Sequence, residues 1–131
     1  MKLLFAVPKH SMTTKINLKS KFDKFHEQWS PKIIAEMNDY QFKLVKIKND
    51  FIWDVLEDTD EVFIVIEGKV GIEFEHETIE INEGEMIVVP KGKKHRPFAK
   101  KEAKIMLIEP RGVVNTGNIE SEITAPSDQW I

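Results

Sequence analysis

Short apolar segments separated by polar turns fill the chain from residue 32 onward, and this alternation constrains the fold more than any other feature of the sequence. Turn signals fall at residues 38–39, 48–50, 57–60, 67–69, 76–77 and 82–84. Short strands at such regular spacing are typical of an all-β sandwich or barrel. No helical segment of crossover length separates them, so the pattern disfavours a parallel sheet built from βαβ units.

Individual segments carry more detailed expectations. Residues 62–66 form a continuous β-branched and aromatic run, which predicts a strand buried on both faces. The segment 40–47 begins with apolar residues at even positions and continues with Val45 and Ile47 at odd positions, which predicts a β-bulge. Further strands are predicted at residues 51–56, 70–74, 79–81, 86–89 and 105–108.

One helix is expected before the strands. Phe22, Phe25 and Trp29 recur at helical spacing and predict a short helix over residues 20–29, with Ser20 as its N-cap. Aromatic residues at this spacing favour a helix that covers the barrel over one that binds a cofactor. The predicted fold is therefore all-β with a short N-terminal helix.

Length and charge limit the class of protein further. The chain has 131 residues, which favours one domain, and we assign residues 1–13 to an N-terminal extension and 14–131 to the domain. The net charge of −3 gives no electrostatic case for nucleic-acid binding. Without cysteine the chain has neither disulfides nor thiolate ligands. Its longest N-terminal apolar run, residues 3–7, is too short for a secretion signal, and no stretch would span a bilayer. A cytoplasmic protein is expected.

Two segments carry the residues that point to a site. Residues 84–95 run from a glycine turn through a short apolar strand and a Pro-Lys-Gly turn to His95. Such a segment can bring one imidazole to the mouth of a small β-barrel. About thirty residues earlier, Glu61 and Gly68 enclose six residues and form the second half of the pattern.

These residues resemble a known family. Glu61 and Gly68 resemble the end of the first motif of the cupins. The second cupin motif is matched in order and spacing by Gly84, Pro90, Gly92 and His95. The segments 107–117 and 124–131 also resemble a group of small cupins that are often labelled mannose-6-phosphate-isomerase-like. The resemblance covers roughly residues 14–131 and implies a double-stranded β-helix, or jelly-roll barrel, with a ligand pocket inside.

The resemblance also implies a metal site, but the chain departs from the pattern there. Cupins usually hold a divalent metal with a His-x-His pair, a glutamate and the histidine of the second motif. Here Asp54 and Leu56 occupy the two positions of the pair, whereas Glu61 and His95 remain. The implied ligands are thus at most Asp54, Glu61 and His95, with either no cofactor or a weakly bound divalent metal such as Mn, Fe, Ni or Zn.

The pocket wall is predicted from the alternation along the strands. An apolar wall with a few polar points is typical of a small-molecule site, and it is equally typical of an ordinary barrel core. The predicted wall residues are Ile52, Leu56, Phe63, Val88, Phe98 and Met106, with Met86 as the alternative to Val88 and Leu107 as the alternative to Met106.

Three functions remain open. The first is a cupin barrel that binds a small molecule beside a degenerate metal site. The second is a metal-dependent isomerase, lyase or dioxygenase that uses Asp54, Glu61 and His95. The third is a non-catalytic dimeric interaction module. In an enzyme, Glu61 and His95 would be the acid–base pair, provided they lie within hydrogen-bonding reach.

The expected partners are a small molecule and a second copy of the chain. Basic residues crowd the segment 91–104, which would suit an anionic ligand if they line the mouth, although a solvated loop explains them better. A homodimer is implied by the family resemblance. Neither nucleic acid nor a membrane is expected as a partner.

Overall fold

The structure is a computed structural model that describes residues 13–117, 121 and 123–131. Nearly all of the predicted N-terminal extension, residues 1–12, lies outside the described residues. The elements are α1 (Leu18–Phe22), β1 (Lys32–Met37), β2 (Tyr40–Asp50), β3 (Glu61–Glu67), β4 (Lys69–Glu73), β5 (Thr78–Asn82), β6 (Met86–Val89) and β7 (Arg96–Pro110).

The strands form one antiparallel sheet that wraps around a core. Its main path runs β1-β2-β7-β3-β6, while β4 pairs with both β5 and β7. The long strand β7 therefore pairs along its length with β2, β3 and β4, which joins the two layers of the barrel. This architecture confirms the predicted all-β jelly-roll barrel with a short helix.

Strand alternation fills the barrel with one face of each strand. In β3 Glu61, Phe63 and Val65 are buried, whereas the alternating residues Val62, Ile64 and Ile66 are only half-buried. The prediction that residues 62–66 are buried on both faces is therefore wrong for the outer face. The residues that form the barrel core are Val45, Ile47, Phe63, Val65, Val70, Ile72, Phe74, Ile81, Val89, Ala99, Ala103, Ile105 and Leu107.

The phase change within β2 has a different cause from the one predicted. Leu44 and Lys46 are buried beneath the helix and the loop after it, whereas Val45 and Ile47 are buried inside the barrel. Both faces of this stretch are covered, so consecutive residues can be buried without a bulge. The register shift lies later, between Ile47 and Asn49.

The helix is shorter than predicted and begins earlier. Asn17, not Ser20, is the N-cap, because its side chain accepts a hydrogen bond from the Ser20 backbone amide. The helix ends at Phe22, and the aromatic residues Phe25 and Trp29 follow in a loop. Phe22 and Phe25 are nevertheless buried against β2, so the aromatics cover the barrel as expected.

The predicted strand at residues 51–56 is reduced to a single bridge between Asp54 and His95. The other residues of this segment form no strand. The bridge fixes the backbones of two predicted site residues against each other.

The outer face of the sheet is apolar in part. Met86 and Val88 on the edge strand β6 are 56% and 50% exposed. Such a surface is compatible with a second copy of the chain, but the homodimer stays a prediction. Within the described ranges, no helix is long and apolar enough to cross a membrane.

Candidate functional site

His95 lies at the centre of the candidate site and is 2% exposed. The turn that precedes it contains Gly92, whose positive φ of 77° suits glycine and whose amide donates to Leu56 O over 2.7 Å. His95 then exchanges two backbone hydrogen bonds with Asp54, at 2.9 and 3.0 Å. These bonds join the segment that contains Asp54 to the segment that ends in His95, just before β7 begins.

The imidazole is held in one orientation. Its Nδ1 atom donates to Lys93 O over 2.9 Å, because a carbonyl oxygen can only accept. Nε2 therefore faces the carboxyl groups, 3.2 Å from Asp54 Oδ1 and 3.4 Å from Glu61 Oε1. The ring also lies edge-on to Phe63, with centroids 6.0 Å apart. The three predicted polar residues thus meet inside the barrel.

Asp54 is close to the imidazole but poorly bonded to it. Its side chain is only 7% exposed, and Oδ1 has no hydrogen-bond partner among the described residues. The distance to Nε2 satisfies an ion pair, whereas a hydrogen bond also needs alignment. We therefore regard Asp54 Oδ1 as a buried acceptor that lacks a donor, which is costly unless something supplies one.

A second pair of charges, Lys43 and Glu109, extends the cluster. Lys43 Nζ lies 2.9 Å from Glu109 Oε1, each side chain is 1% exposed, and Nζ also donates to Val113 O over 3.0 Å. Glu109 also lies beside Glu61, and its Oε2 atom has no hydrogen-bond partner among the described residues.

Burial raises the pKa of all three acids in this cluster. It raises the pKa of Asp54 from 3.8 to about 6, against the opposing attraction of His95. It also raises the pKa of Glu61. The pKa of Glu109 is raised well above its usual value by burial and then by the charge of the neighbouring Glu61, against the opposing attraction of Lys43.

The sequence interpretation missed Lys43 and Glu109, although strand phase contains a signal for both. Glu109 continues the inward series of Ile105 and Leu107, two residues at a time. Lys43 precedes Val45 and Ile47 in the same way. A charged residue in phase with core residues indicates a buried ionic group.

A small cavity adjoins the acids inside the barrel. Its volume is about 30 Å³, which is enough for roughly one water-sized group. Trp29 contributes to its wall in a left-handed backbone conformation, φ 60°, that is uncommon for a bulky residue and costs free energy. The cavity is lined by Trp29, Pro31, Val45, Ile47, Phe51, Asp54, Glu61, Pro97, Ile105, Leu107 and Asn115.

Two larger hollows lie on the surface and contain none of the clustered acids. One of 520 Å³ adjoins Phe98 and Lys100, and one of 310 Å³ adjoins Phe74 and Lys93. The titratable side chains at the second hollow are all exposed to solvent, unlike the buried acids: Glu75, His76, Glu77, Lys93 and Lys94. We therefore place the candidate site at the interior cavity.

The predicted wall differs from the observed one. Val88 and Met106 lie on the outer face of the sheet, because Val89 and Leu107 occupy the inward phase. Phe98 borders a surface hollow, and its ring lies directly over Gly71. The other predicted wall residues also lie outside the lining of the cavity: Ile52 is half-buried, Leu56 is buried near Gly117, and Phe63 is buried against His95.

The cluster fits a transition metal poorly. Among the residues that the structure describes, no group of three or more His, Cys, Asp or Glu side chains is arranged to hold a metal ion. Leu56 places an apolar side chain where a second imidazole would be needed. The role of Asp54, Glu61 and His95 as metal ligands stays a prediction.

Comparison with known proteins agrees with the fold. The model of the cupin domain family matches residues 50–118, more than half of the chain. The uncharacterized protein YdbB of Bacillus subtilis is 36% identical over 64 residues, which are 48% of this chain and 57% of that protein. The chain thus spans little more than half the length of this curated relative.

Two solved structures are similar over longer stretches. A cupin-2 domain containing protein from Shewanella frigidimarina is 57% identical, with a TM-score of 0.73 over 73% of this chain and 94% of that one. A protein from Neisseria meningitidis is 36% identical, with a TM-score of 0.69 over 74% of this chain and 99% of that one.

Proposed function

Because this chain belongs to the cupin domain family, we propose that its barrel interior binds a small molecule and does so without a resident transition metal. The observation that carries the proposal is the buried Asp54 Oδ1 atom, which has no hydrogen-bond partner among the described residues and belongs to a side chain that lines an interior cavity. A ligand with a suitable donor would satisfy that atom.

The surroundings of Asp54 support binding over simple packing. Small-molecule sites are mostly apolar with a few convergent polar groups, and this cavity combines apolar and aromatic residues with Asp54 and Glu61. A perturbed pKa beside a cavity is typical of functional sites. His95, behind the two acids, gives the set the means to exchange a proton with a bound molecule.

The size of the cavity limits the ligand. Drug-sized ligands occupy roughly 300–1,000 Å³, about ten times or more the volume of 30 Å³ found here. The cavity therefore receives a very small molecule, or only the polar head of a longer one. In the second case the body of the ligand would have to displace wall residues such as Trp29.

Thermal unfolding of metal-free protein in the presence of small compounds tests the binding. We expect at least one class among amines, alcohols, carboxylates and carbonyl compounds, none larger than four carbons, to raise Tm in a saturable way, because a ligand that binds only the folded state stabilises it. The double variant Asp54→Asn with Glu61→Gln should lose that response. A panel in which every class leaves Tm unchanged would contradict the proposal.

The absence of a resident metal is tested by restoring the histidine pair. Protein purified without chelator or nickel resin should contain less than about a tenth of an equivalent of any transition metal. The variant Asp54→His with Leu56→His should gain close to one equivalent, because it adds two imidazoles at buried positions to the existing Glu61 and His95. Metal analysis and equilibrium dialysis with Ni²⁺ and Mn²⁺ measure both.

A matched control places the pair elsewhere. The variant Glu57→His with Thr59→His keeps the same spacing in the turn outside the barrel and should remain nearly metal-free. Stoichiometric metal in the wild-type protein would overturn the metal-free proposal. If the restored pair binds no more than this control, Asp54 and Leu56 do not occupy the positions assigned to them.

A further inference from the structure

The polar atoms presented to the interior cavity are acceptors. Asp54 and Glu61 contribute carboxyl oxygens, and the two N–H donors on the wall are already engaged. Trp29 Nε1 donates to Lys48 O over 3.0 Å. Asn115 Nδ2 donates to the carbonyls of Trp29 and Ile123, both over 2.8 Å. An acceptor ligand would therefore find no free side-chain N–H group among the described lining residues.

In the part of the chain that the structure describes, no basic side chain lines this cavity. Lys43 lies behind Glu109, and Lys46 donates to Phe25 O over 2.7 Å on the other face of β2. In the basic segment 91–104, Lys93 pairs with Glu77 and Lys104 with Glu67 at the surface. An anionic ligand would therefore meet no lysine or arginine among the described residues that line the cavity.

Two carboxyl oxygens of the cluster, Asp54 Oδ1 and Glu109 Oε2, have no hydrogen-bond partner among the described residues, and of these two side chains it is Asp54 that lines the cavity. Lys43 Nζ lies 2.9 Å from the other carboxyl oxygen of Glu109, Oε1. Asp54 has only His95 nearby, and that contact does not form a hydrogen bond from Nε2 to Oδ1. A buried carboxylate in this position is stabilised by a cation that can donate hydrogen bonds.

From these observations we propose that the cavity binds a small nitrogen cation, either ammonium or the head of a primary alkylamine, with Asp54 Oδ1 as its principal acceptor. This inference rests on the proposed function and names the class of ligand. A group the size of ammonium matches a cavity of about 30 Å³. The aromatic side chains of Trp29 and Phe51 on the wall are favourable neighbours for a cation.

The test compares cations that differ in hydrogen-bonding capacity. Isothermal titration and thermal unfolding at pH 7.5 and constant ionic strength use ammonium, methylammonium and tetramethylammonium chlorides, with sodium formate as the anionic probe. Ammonium and methylammonium should bind saturably and raise Tm. Tetramethylammonium, which has no N–H group and is larger, should do neither.

Two isosteric variants assign the acceptor. Asp54→Asn keeps the shape of the side chain and should weaken ammonium binding by at least about tenfold, because it removes the charge that faces the cation. Asp58→Asn removes an equal charge from the exposed turn and should leave the affinity unchanged. Circular dichroism confirms that both variants are folded. Nitrogen-15 NMR of labelled ammonium adds a direct measurement, since a bound ion should give a separate signal in wild-type protein and none in Asp54→Asn.

Each other result overturns the proposal. Equal responses to ammonium and tetramethylammonium, or an unchanged response in Asp54→Asn, would indicate a general salt effect. Saturable binding of formate alone would reverse the class of ligand while leaving the proposed binding function intact. If no probe binds and the wild-type protein carries stoichiometric metal, both proposals fail together.

Discussion

Replacement of Lys43 by methionine should lower the free energy of unfolding by about 3–5 kcal/mol at pH 7. Lys43 and Glu109 are each 1% exposed and their charged atoms lie 2.9 Å apart. Removing the ammonium leaves Glu109 buried without its cation, beside a second acid. Chemical denaturation with a linear extrapolation measures the loss.

The cost of this replacement should depend on pH. Burial and Glu61 already raise the pKa of Glu109, and loss of the lysine raises it further. A buried acid of raised pKa contributes stability at low pH that is lost as the pH rises through the folded-state pKa. Lys43→Met should therefore be less damaging at pH 5 than at pH 8. At pH 5 the free energy needed to protonate Glu109 on folding is smaller.

Two further variants separate the buried pair from a general charge effect. Lys43→Met combined with Glu109→Leu should recover most of the lost stability, because an apolar pair of similar volume replaces both charges. Lys69→Met breaks the exposed pair with Glu80, at 3.7 Å, and should cost no more than about 1 kcal/mol. A loss for Lys43→Met as small as that for Lys69→Met would show that the cluster is solvated.

The parts of this protein that sequence reasoning reaches are those that local patterns determine. Turn spacing and strand alternation are local, so they indicate the barrel. The turn before His95 and the position of Glu61 at the start of a strand are also local, and the structure brings these two side chains together. The helix ended early because Phe25 and Trp29 gain burial as loop residues that pack on the sheet, which overrides helical periodicity.

What sequence reasoning missed depends on strand register. Lys43 lies opposite Leu107, and Glu109 lies opposite Gln41, so the lysine and the glutamate are diagonal neighbours on one face of the β2–β7 pair. They are 66 residues apart in the chain. No local pattern predicts that pairing, although the inward phase of each residue identifies it as a candidate.

Strand register also explains why the predicted pocket wall differs from the observed lining of the cavity. A shift of one position moves a side chain from the interior to the outer face of the sheet, and Val88 and Met106 lie on that outer face. The correct inward residues, Val89 and Leu107, are their immediate neighbours. Burial of Leu44 to Ile47 on both faces hid the phase of β2 in the same way.

A cluster of five buried ionisable side chains is expensive to retain in a barrel of this size. The desolvation of each charge opposes folding, and an apolar core would avoid that cost. The cluster also surrounds the orphaned oxygen of Asp54 and meets a cavity. Instability concentrated at one small site is characteristic of groups that are kept for binding or proton transfer.

Asp54 gives the second large effect, and it has the opposite sign. Burial raises its pKa from 3.8 to about 6, so the folded state holds the proton more tightly than the unfolded state does. The associated stability is fully present below pH 3.8 and is lost as the pH rises through about 6. Asparagine does not titrate and keeps the same shape. Asp54→Asn should therefore stabilise the protein above pH 7, by up to about 3 kcal/mol, with the lost attraction to His95 reducing the gain.

The difference between Asp54→Asn and wild type should trace the titration of this one carboxyl. Urea denaturation between pH 4 and pH 8 should give nearly equal stabilities at pH 4, a growing advantage for the variant towards pH 6, and a constant advantage above pH 7. Asp58→Asn, in the exposed turn, should give a flat difference over the same range. A flat difference for Asp54→Asn as well, or a loss of stability at pH 8, would mean that Asp54 is paired or hydrated in the folded protein. A gain in stability together with the loss of ammonium binding would instead identify Asp54 as a residue kept for its ligand at the expense of the fold.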